Sequence, residues 1–276
     1  MAIALALLSA VAFGVADFWG GLLSRRAPVW AVTFVMQIVA CVVVMGFHLV
    51  NPVTPTSTAF GWSALAGLAN GIGTVFLYRG LATGRMGVVA PVSGALAALV
   101  PIAIGVALGE RPSMLAWLGV AAAIPGIWFV AQEPADTEAS GRTGFNDGLM
   151  AGVSFGLLFA FLGQIPDGSG WLPVVVSEAV AAVIVVVVAI AIGQSWLPRD
   201  GASWQAALTG VLVAIAMVSF LAATQRGYLS TAAVLSSLYP GFTVLLAAVV
   251  LRERIHGLRA VGLALCGVAV ALVAVG

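Results

Sequence analysis

Apolar runs follow one another along nearly the whole chain, and short joints rich in charge, glycine or proline separate them. A helix crosses the hydrocarbon core of a bilayer with about 20 mostly apolar residues. Helices also satisfy their backbone hydrogen bonds internally, as a solvent without water requires. The pattern therefore predicts an all-α membrane protein with ten transmembrane helices. The predicted segments are Ala2–Leu23, Val29–Val50, Ala59–Tyr78, Met86–Leu108, Ser113–Ala131, Gly144–Gln164, Trp171–Gly193, Ser203–Thr224, Leu229–Leu251 and Gly257–Val275.

The longest polar stretch, "QEPADTEASGRTGFND", lies almost at the middle of the chain. It predicts a linker at residues 134–143 between two internal repeats, residues 1–133 and 144–276. Each repeat would hold five helices. Residues 1–276 would then form a single membrane transporter domain.

The two halves share sequence in register. "SAVAFGVADF", beginning at Ser9, aligns with "AGVSFGLLFA", beginning at Ala151, at an offset of 142. "GRMGVVAPVSGALA", beginning at Gly84, aligns with "GYLSTAAVLSSLYP", beginning at Gly227, at an offset of 143. Five crossings are an odd number, so the second repeat would enter the membrane with the opposite orientation. Inverted repeats around a central cavity are typical of secondary transporters.

The stretch "GVSFG" also matches the Gly-x-Ser-x-Gly pattern in which many hydrolases carry a nucleophilic serine, here Ser154. The repeat aligns Ser154 with Ala12, and neither histidine of the chain lies at a depth where it could act as the base. Glycine at every fourth position instead predicts a helix face that allows close contact with a neighbouring helix. These glycines are Gly144, Gly148, Gly152 and Gly156. We therefore expect no catalytic residue and no enzyme.

Composition narrows the chemistry and the partners. The chain is 62% hydrophobic and 8% charged, with a net charge of +1, so it cannot cover a water-facing surface and has no strong field for nucleic acid. His48, His256, Cys41 and Cys266 are too dispersed for a metal site. Without a lysine the chain cannot form the lysine-containing phosphate loop of ATPases. We expect a small-molecule substrate and the lipid bilayer as partners, without metal, cofactor or nucleic acid; monomer and homodimer both stay open.

Two stretches carry a resemblance to a known family. They are "YRGLATGRMGVVAPVSGALAALVPIAIGVALGERPS" and "SSLYPGFTVLLAAVVLRERIHGLRAVGLALCGVAVAL". Each half closes with a Glu-Arg joint and a glycine-bearing last helix, and Pro240 stands thirteen residues before Glu253. On these features the chain resembles the EamA-type, ten-helix members of the drug/metabolite transporter superfamily. The first half departs from the pattern at Ala97, where the second half has its proline.

The resemblance implies ten helices around a central cavity that opens to one side of the membrane at a time. It also implies a secondary transporter that exports small metabolites across the bacterial inner membrane. We expect amino acids as substrates, with apolar or aromatic ones preferred. A proton-coupled multidrug or cation exporter is an alternative, and a passive solute channel is an alternative from another class.

Two acids fall well inside the predicted spans, Asp17 on helix 1 and Glu178 on helix 7. Ionisable groups inside a membrane are costly and usually functional, so both are candidates for proton or cation coupling. Asp17 could instead pair with an arginine at the same end of its helix, and Glu178 could reach the interface near Trp171. The arginines at that end are Arg25, Arg79 and Arg85. The different depths of the two acids argue against a carboxylate dyad.

Asn70, Thr74 and Tyr78 share one face of helix 3 because they are four residues apart. A polar face on a lipid-embedded helix predicts a cavity lining, with interhelical hydrogen bonding as the alternative. The other candidates for the substrate-binding cavity are Ser93, Phe155, Phe159, Ser236 and Tyr239. Prolines remove a helical hydrogen bond and predict hinges or helix breaks. These are Pro91, Pro101 and Pro240.

Ten spans would place both termini on one side of the membrane. The loops on that side carry only Arg111 and Arg226, whereas the opposite loops carry nine arginines. Arginine-rich loops stay in the cytoplasm, so the count predicts that both termini lie outside it. The resemblance favours cytoplasmic termini, and the two arguments disagree.

Overall fold

A computed structural model describes residues 1–83, 86–107, 113–131, 138–226, 232, 235–236, 238–251 and 257–275. Within these ranges the chain forms ten helices and no strand. The helices are α1 (Ala2–Ser24), α2 (Val29–Val50), α3 (Ser57–Thr83), α4 (Met86–Ala107), α5 (Met114–Ala131), α6 (Glu138–Leu162), α7 (Leu172–Ala191), α8 (Gly201–Thr224), α9 (Tyr239–Val250) and α10 (Leu258–Val275).

The helices lie within or overlap the predicted apolar runs, but the described helix in the ninth run begins at Tyr239, ten residues after the predicted start at Leu229. Six are long and apolar enough to cross a bilayer: α1, α2, α3, α7, α8 and the Gly144–Leu162 part of α6. The other four contain shorter apolar stretches, which are Val88–Pro101, Trp117–Gly126, Tyr239–Val250 and Ala260–Ala269. The all-helical membrane fold is thus confirmed for the described residues, and the number of ten crossings stays a prediction.

Two helices extend beyond the predicted apolar segments. α3 continues five residues past Tyr78 to Thr83, and α6 begins at Glu138, inside the predicted linker. Hydropathy marks the part of a helix that lies in hydrocarbon, whereas the helix itself can continue into water. The residues Leu229, Glu110, Glu253 and His256 lie outside the described part of the chain.

The outer surface of the bundle is apolar. Large hydrophobic side chains are exposed along the helices, among them Val42 of α2, Val183 of α7 and Val211 of α8. Exposed apolar surface of this extent requires an apolar environment. The lipid bilayer supplies it, and the polar residues of these helices turn inward.

Several helix contacts recur when each helix is exchanged for the helix five places along the chain, although the contact of α1 with α3 has no counterpart of similar extent between α6 and α8. α3 packs on α6 as α8 packs on α1, and α3 packs on α7 as α8 packs on α2. α4 packs on α6 as α9 packs on α1. Three pairs, α2 with α7, α4 with α9 and α5 with α10, join equivalent helices of the two halves. Two similar five-helix sets therefore face each other across an approximate two-fold axis.

Glycines allow the closest of these helix contacts. A Cβ atom at Gly152 of α6 would lie 2.6 Å from Leu96 Cβ and 2.7 Å from the Ser93 carbonyl oxygen, both of α4. At Gly156 it would lie 2.5 Å from Val100 Cβ, and at Gly148 3.1 Å from the Val89 carbonyl oxygen. The predicted glycine face of this helix is confirmed as a contact surface for α4.

The three prolines act differently from one another. Pro240 lies in the first turn of α9, where the missing N–H group removes no helical bond. Pro91 and Pro101 lie inside α4, which remains helical from Met86 to Ala107. α4 thus has no break at Pro91 or Pro101, and their role as hinges stays a prediction, since each proline removes one backbone hydrogen bond from α4.

Candidate functional site

A narrow cavity lies inside the bundle, where the two halves meet. Six helices contribute to its lining: α1, α2, α3, α6, α8 and α9. The lining residues are Phe13, Asp17, Met36, Asn70, Thr74, Leu77, Tyr78, Phe155, Leu158, Phe159, Val213, Met217 and Tyr239. Six of the predicted cavity residues and one of the two predicted acids are thus brought together.

The first half supplies a polar wall. Asn70, Thr74 and Tyr78 of α3 lie beside Asp17 of α1 in the lining. The Thr74 hydroxyl donates to Asn70 Oδ1 at 3.1 Å, and the Tyr78 hydroxyl donates to the Ala16 carbonyl oxygen at 3.4 Å. The polar face predicted for α3 therefore lines the cavity and also contacts the neighbouring helix α1.

The second half supplies an apolar wall. α6 contributes Phe155, Leu158 and Phe159, and α8 contributes Val213 and Met217. The Phe159 ring lies 5.0 Å from the Phe220 ring of α8 and 6.4 Å from the Phe13 ring of α1, measured between centroids. These contacts hold the aromatic wall in place.

Equivalent positions of the two repeats face each other across the cavity. At the offset of 142, Asp17 of α1 corresponds to Phe159 of α6, and both line the cavity. At the offset of 143, Asn70 and Thr74 of α3 correspond to Val213 and Met217 of α8, and all four line it. At these three positions the first half is polar and the second half is apolar.

Asp17 lies in the cavity without a basic neighbour in the described lining. Its side chain is 6% exposed, and the lining contains no arginine or histidine. Arg79, one of the arginines considered as its partner, instead forms an ion pair with the buried Asp147 of α6 through its Nε and Nη2 atoms. The carboxyl group of Asp17 is therefore available to a ligand.

Glu178 of α7 lies behind the lining. It is fully buried, so the alternative in which it reaches the interface near Trp171 is wrong. Its Oε1 atom accepts a hydrogen bond from Asn70 Nδ2 at 3.3 Å. Asn70 thus has the cavity on one side and a buried carboxyl group on the other.

Tyr239 lies where the two halves meet. Its hydroxyl is 2.9 Å from the Ser93 hydroxyl of α4, and its ring lies 6.2 Å from the ring of Phe13 and 6.4 Å from that of Phe155. Ser93 itself does not line the cavity and acts on it through Tyr239. Ser236 is expected in the cavity, but its hydroxyl instead donates to the Ala6 carbonyl oxygen of α1, at 3.4 Å, because a buried serine hydroxyl needs a hydrogen-bond partner.

The comparisons with known proteins agree with this architecture. The family model of the EamA-like transporter family matches residues 1–132 and again residues 147–275. The chain belongs to the EamA-like transporter family. A solved structure described as "Crystal structure of protein" is 18% identical to this EamA-like chain, with a TM-score of 0.63 over 96% of this chain and 95% of its own. That similarity supports the fold alone. No curated protein matches the chain.

The hydrolase-like motif is part of the packing of this EamA-like transporter. Ser154 is buried in the interior of α6, without the sharp turn before a helix that a nucleophile elbow requires. Its Cβ would lie 3.0 Å from a Cβ at Gly73 of α3, so small residues meet at this point. Within the described residues no three His, Cys, Asp or Glu side chains are grouped as a metal site would need.

Sequence reasoning missed six lining residues of the EamA-like cavity. They are Phe13, Met36, Leu77, Leu158, Val213 and Met217. Apolar lining residues resemble lipid-facing ones in composition, so the polarity signal does not find them. The internal repeat does contain a signal for two of them, because Val213 and Met217 occupy the positions equivalent to the predicted cavity residues Asn70 and Thr74.

Proposed function

We propose that this EamA-like transporter carries small solutes with an ammonium group on an apolar or aromatic body, and exports them across the bacterial inner membrane by alternating access. The observation that supports this most is the single carboxyl group of Asp17 in a lining without a basic residue, opposite an aromatic wall. A carboxylate in so little water is stabilised by a cation as its partner.

The aromatic residues suit the same ligand. A cation is attracted to the face of an aromatic ring, and apolar surface of a ligand is stabilised by leaving water. Phe13, Phe155, Phe159, Tyr78 and Tyr239 all line the cavity. A solute with one ring and an amine matches the chemistry of this lining.

Amino acids with apolar or aromatic side chains remain the substrates favoured by family. They share the ammonium group and the apolar body, and their carboxylate would need donors such as the Tyr78 hydroxyl. Within the described lining no cationic side chain faces that carboxylate. The cavity therefore favours amines over zwitterions, which supports the cation exporter as the second candidate function.

A matched ligand series tests the proposal. Phenylethylamine, phenylalanine and 3-phenylpropionate share a ring and differ in charge, so their binding to the purified protein isolates the charge preference of the cavity. We expect phenylethylamine to bind most tightly and 3-phenylpropionate least, as measured by isothermal titration calorimetry. Tighter binding of 3-phenylpropionate than of phenylethylamine would contradict the proposal.

Counterflow in proteoliposomes separates a carrier from a channel. Vesicles preloaded with benzyltrimethylammonium, which keeps its charge at all pH values, should take up labelled benzyltrimethylammonium faster than empty vesicles do. A carrier exchanges solute at its binding site, and its uptake saturates. A passive channel shows neither acceleration nor saturation, and that result would exclude alternating access. Protein-free vesicles give the leak to be subtracted.

A further inference from the structure

A second polar site lies outside the cavity, in the seam between α2, α3 and α7. Glu178 of α7 is fully buried there, and its Oε2 atom has no hydrogen-bond partner among the described residues. Gln37 of α2 is equally buried, and its Oε1 atom also has no partner among them. Two acceptor oxygens are thus enclosed in the same seam without donors, which is costly unless something supplies a hydrogen or a positive charge.

Contacts with α3 place these two side chains at the same level of the seam. Asn70 donates to Glu178 and Gln37 donates to Thr74, and Asn70 and Thr74 are one turn apart on α3. The Cys41 thiol, one turn after Gln37, lies 3.7 Å from the carbonyl oxygen of Val175, one turn before Glu178. The two side chains therefore lie on facing turns of α2 and α7.

The repeat relates the two side chains as well. A Cβ at Gly67 of α3 would meet the Ser177 carbonyl oxygen and Val180 Cβ of α7. A Cβ at Gly210 of α8, which is the equivalent of Gly67, would meet the carbonyl oxygen of Met36 and the Cβ of Val39 in α2. This match makes Gln37 the equivalent of Glu178. The axis between the halves therefore passes close to an amide and a carboxyl group.

We propose that Glu178 and Gln37 form a proton-binding site, distinct from the substrate cavity, whose occupancy is coupled to transport. A proton on Glu178 Oε2 converts an acceptor into a donor, and the Gln37 Oε1 atom on the facing turn can accept from it. One hydrogen then satisfies both oxygens. In a cycle the carboxylate takes a proton from one aqueous phase and releases it to the other, with no other bond formed or broken.

Asn70 and Thr74 connect this site to the cavity. Both line the cavity, and Asn70 donates to Glu178 while Thr74 accepts from Gln37 Nε2 at 3.5 Å. A ligand that engages either side chain changes the hydrogen bonds left for the proton site. The inference of coupling rests on the proposed function, whereas proton binding itself does not.

The surroundings of Glu178 contain few other groups that titrate. From α2 the Cys41 thiol faces it, and from α1 Asp17 lies across the cavity. From α3 the neighbours are the neutral Asn70 and Thr74, with the Tyr78 phenol one turn further along. No arginine of the described residues lines either the cavity or these contacts. A proton is therefore the simplest counter-charge.

Infrared spectroscopy of the full-length protein tests proton binding without a substrate. A protonated carboxyl group has a carbonyl band that shifts in heavy water, and the band should disappear as the pH is raised. Glu178→Gln should remove this band, Glu178→Asp should retain it at a shifted frequency, and Asp167→Asn on the exposed α6–α7 loop should leave it unchanged. A wild-type spectrum identical to that of Glu178→Gln, or a band that never responds to pH, would overturn the proposal.

Proteoliposomes test the coupling. With benzyltrimethylammonium as the probe, wild-type protein should accumulate it against its gradient when a pH gradient is imposed, and Glu178→Gln should lose this accumulation while counterflow is still measurable. Asp17→Asn should lose both the accumulation and the counterflow. If wild type shows no counterflow, the proposed function fails and the infrared titration still decides the proton site. Accumulation that follows a sodium gradient and is lost in Glu178→Gln would overturn the assignment to a proton.

Discussion

Asp17 faces the cavity from α1 at the position that Phe159 occupies in the second repeat. Its carboxyl group is the one acidic group of the described lining. A single ionic partner in a site with little water dominates the recognition of a cation, because hydrogen bonds to charged groups are stronger than neutral ones. The affinity for an ammonium ligand should therefore depend mainly on this residue.

Asp17→Asn tests this dependence, because it removes the charge and keeps the size of the side chain. A lost charged hydrogen bond is worth about 1.5–3 kcal/mol, so we expect the Kd for phenylethylamine, whose ammonium group can donate this bond, to rise roughly 10- to 100-fold. The measurement is titration calorimetry on purified protein. Asp167→Asn in the exposed loop is the matched control, and an equal effect of both variants would show that the cavity carboxylate does not bind the cation.

The polar lining residues could be predicted from the sequence, and the apolar ones could not. Asn70, Thr74 and Asp17 stand out in apolar runs because polar groups in hydrocarbon need a reason to be there. Val213 and Met217 do not stand out, since inward and lipid-facing residues are equally apolar in a membrane helix. Ser236 was wrongly predicted to line the cavity, because its hydroxyl donates to a backbone carbonyl oxygen of α1.

At the scale of the helices, glycine decides how closely the elements pack. The face of α6 that carries Gly148, Gly152 and Gly156 lies on α4, beside the cavity wall that Phe155 and Phe159 form. Close packing here fixes the direction of both aromatic side chains. The glycine spacing predicted this contact, because only small residues recur every four positions when two helix backbones approach.

Gly152→Ala should destabilise the protein despite the better helix propensity of alanine. The new Cβ would lie 2.6 Å from Leu96 Cβ, and overpacking of this kind costs about 1–3 kcal/mol. Gly61→Ala on α3 is the control, because no atom lies within 4 Å of its new Cβ. Thermal unfolding in detergent should show a lower Tm for Gly152→Ala alone. Equal Tm values for the two variants would mean that α4 and α6 are less tightly packed than described.

Helix ends were harder to predict than helix cores. The polar residues from Glu138 to Asp147 are typical of a linker, yet α6 begins at Glu138. One of them, Asp147, is buried and pairs with Arg79 of α3. Composition cannot reveal that pairing, because the two residues are 68 positions apart and meet only after the halves have packed together.

For the whole molecule, the repeat determines the architecture. The EamA-like match covers both halves, and several equivalent helix pairs pack in the same way. Two short alignments, at offsets of 142 and 143, predicted two related halves, because each half must bury equivalent faces. The orientation in the membrane depends on a different property, the distribution of arginines in the loops.

Cysteine labelling tests the predicted orientation. In a background without Cys41 and Cys266, Thr56→Cys in the α2–α3 loop and Ser195→Cys in the α7–α8 loop place one exposed thiol on each side. The arginine count predicts that an impermeant maleimide labels Thr56→Cys in intact cells and reaches Ser195→Cys only after lysis. The reverse pattern would place both termini in the cytoplasm.

The different polarity of the two cavity walls determines which halves can be combined to form this cavity. The carboxyl group and the amide come from the first five helices, and most of the aromatic surface comes from the last five. A pair of identical first halves would enclose two acids, and a pair of identical second halves would enclose none. Each half therefore complements the other chemically as well as sterically, and neither can be replaced by a duplicate of its counterpart.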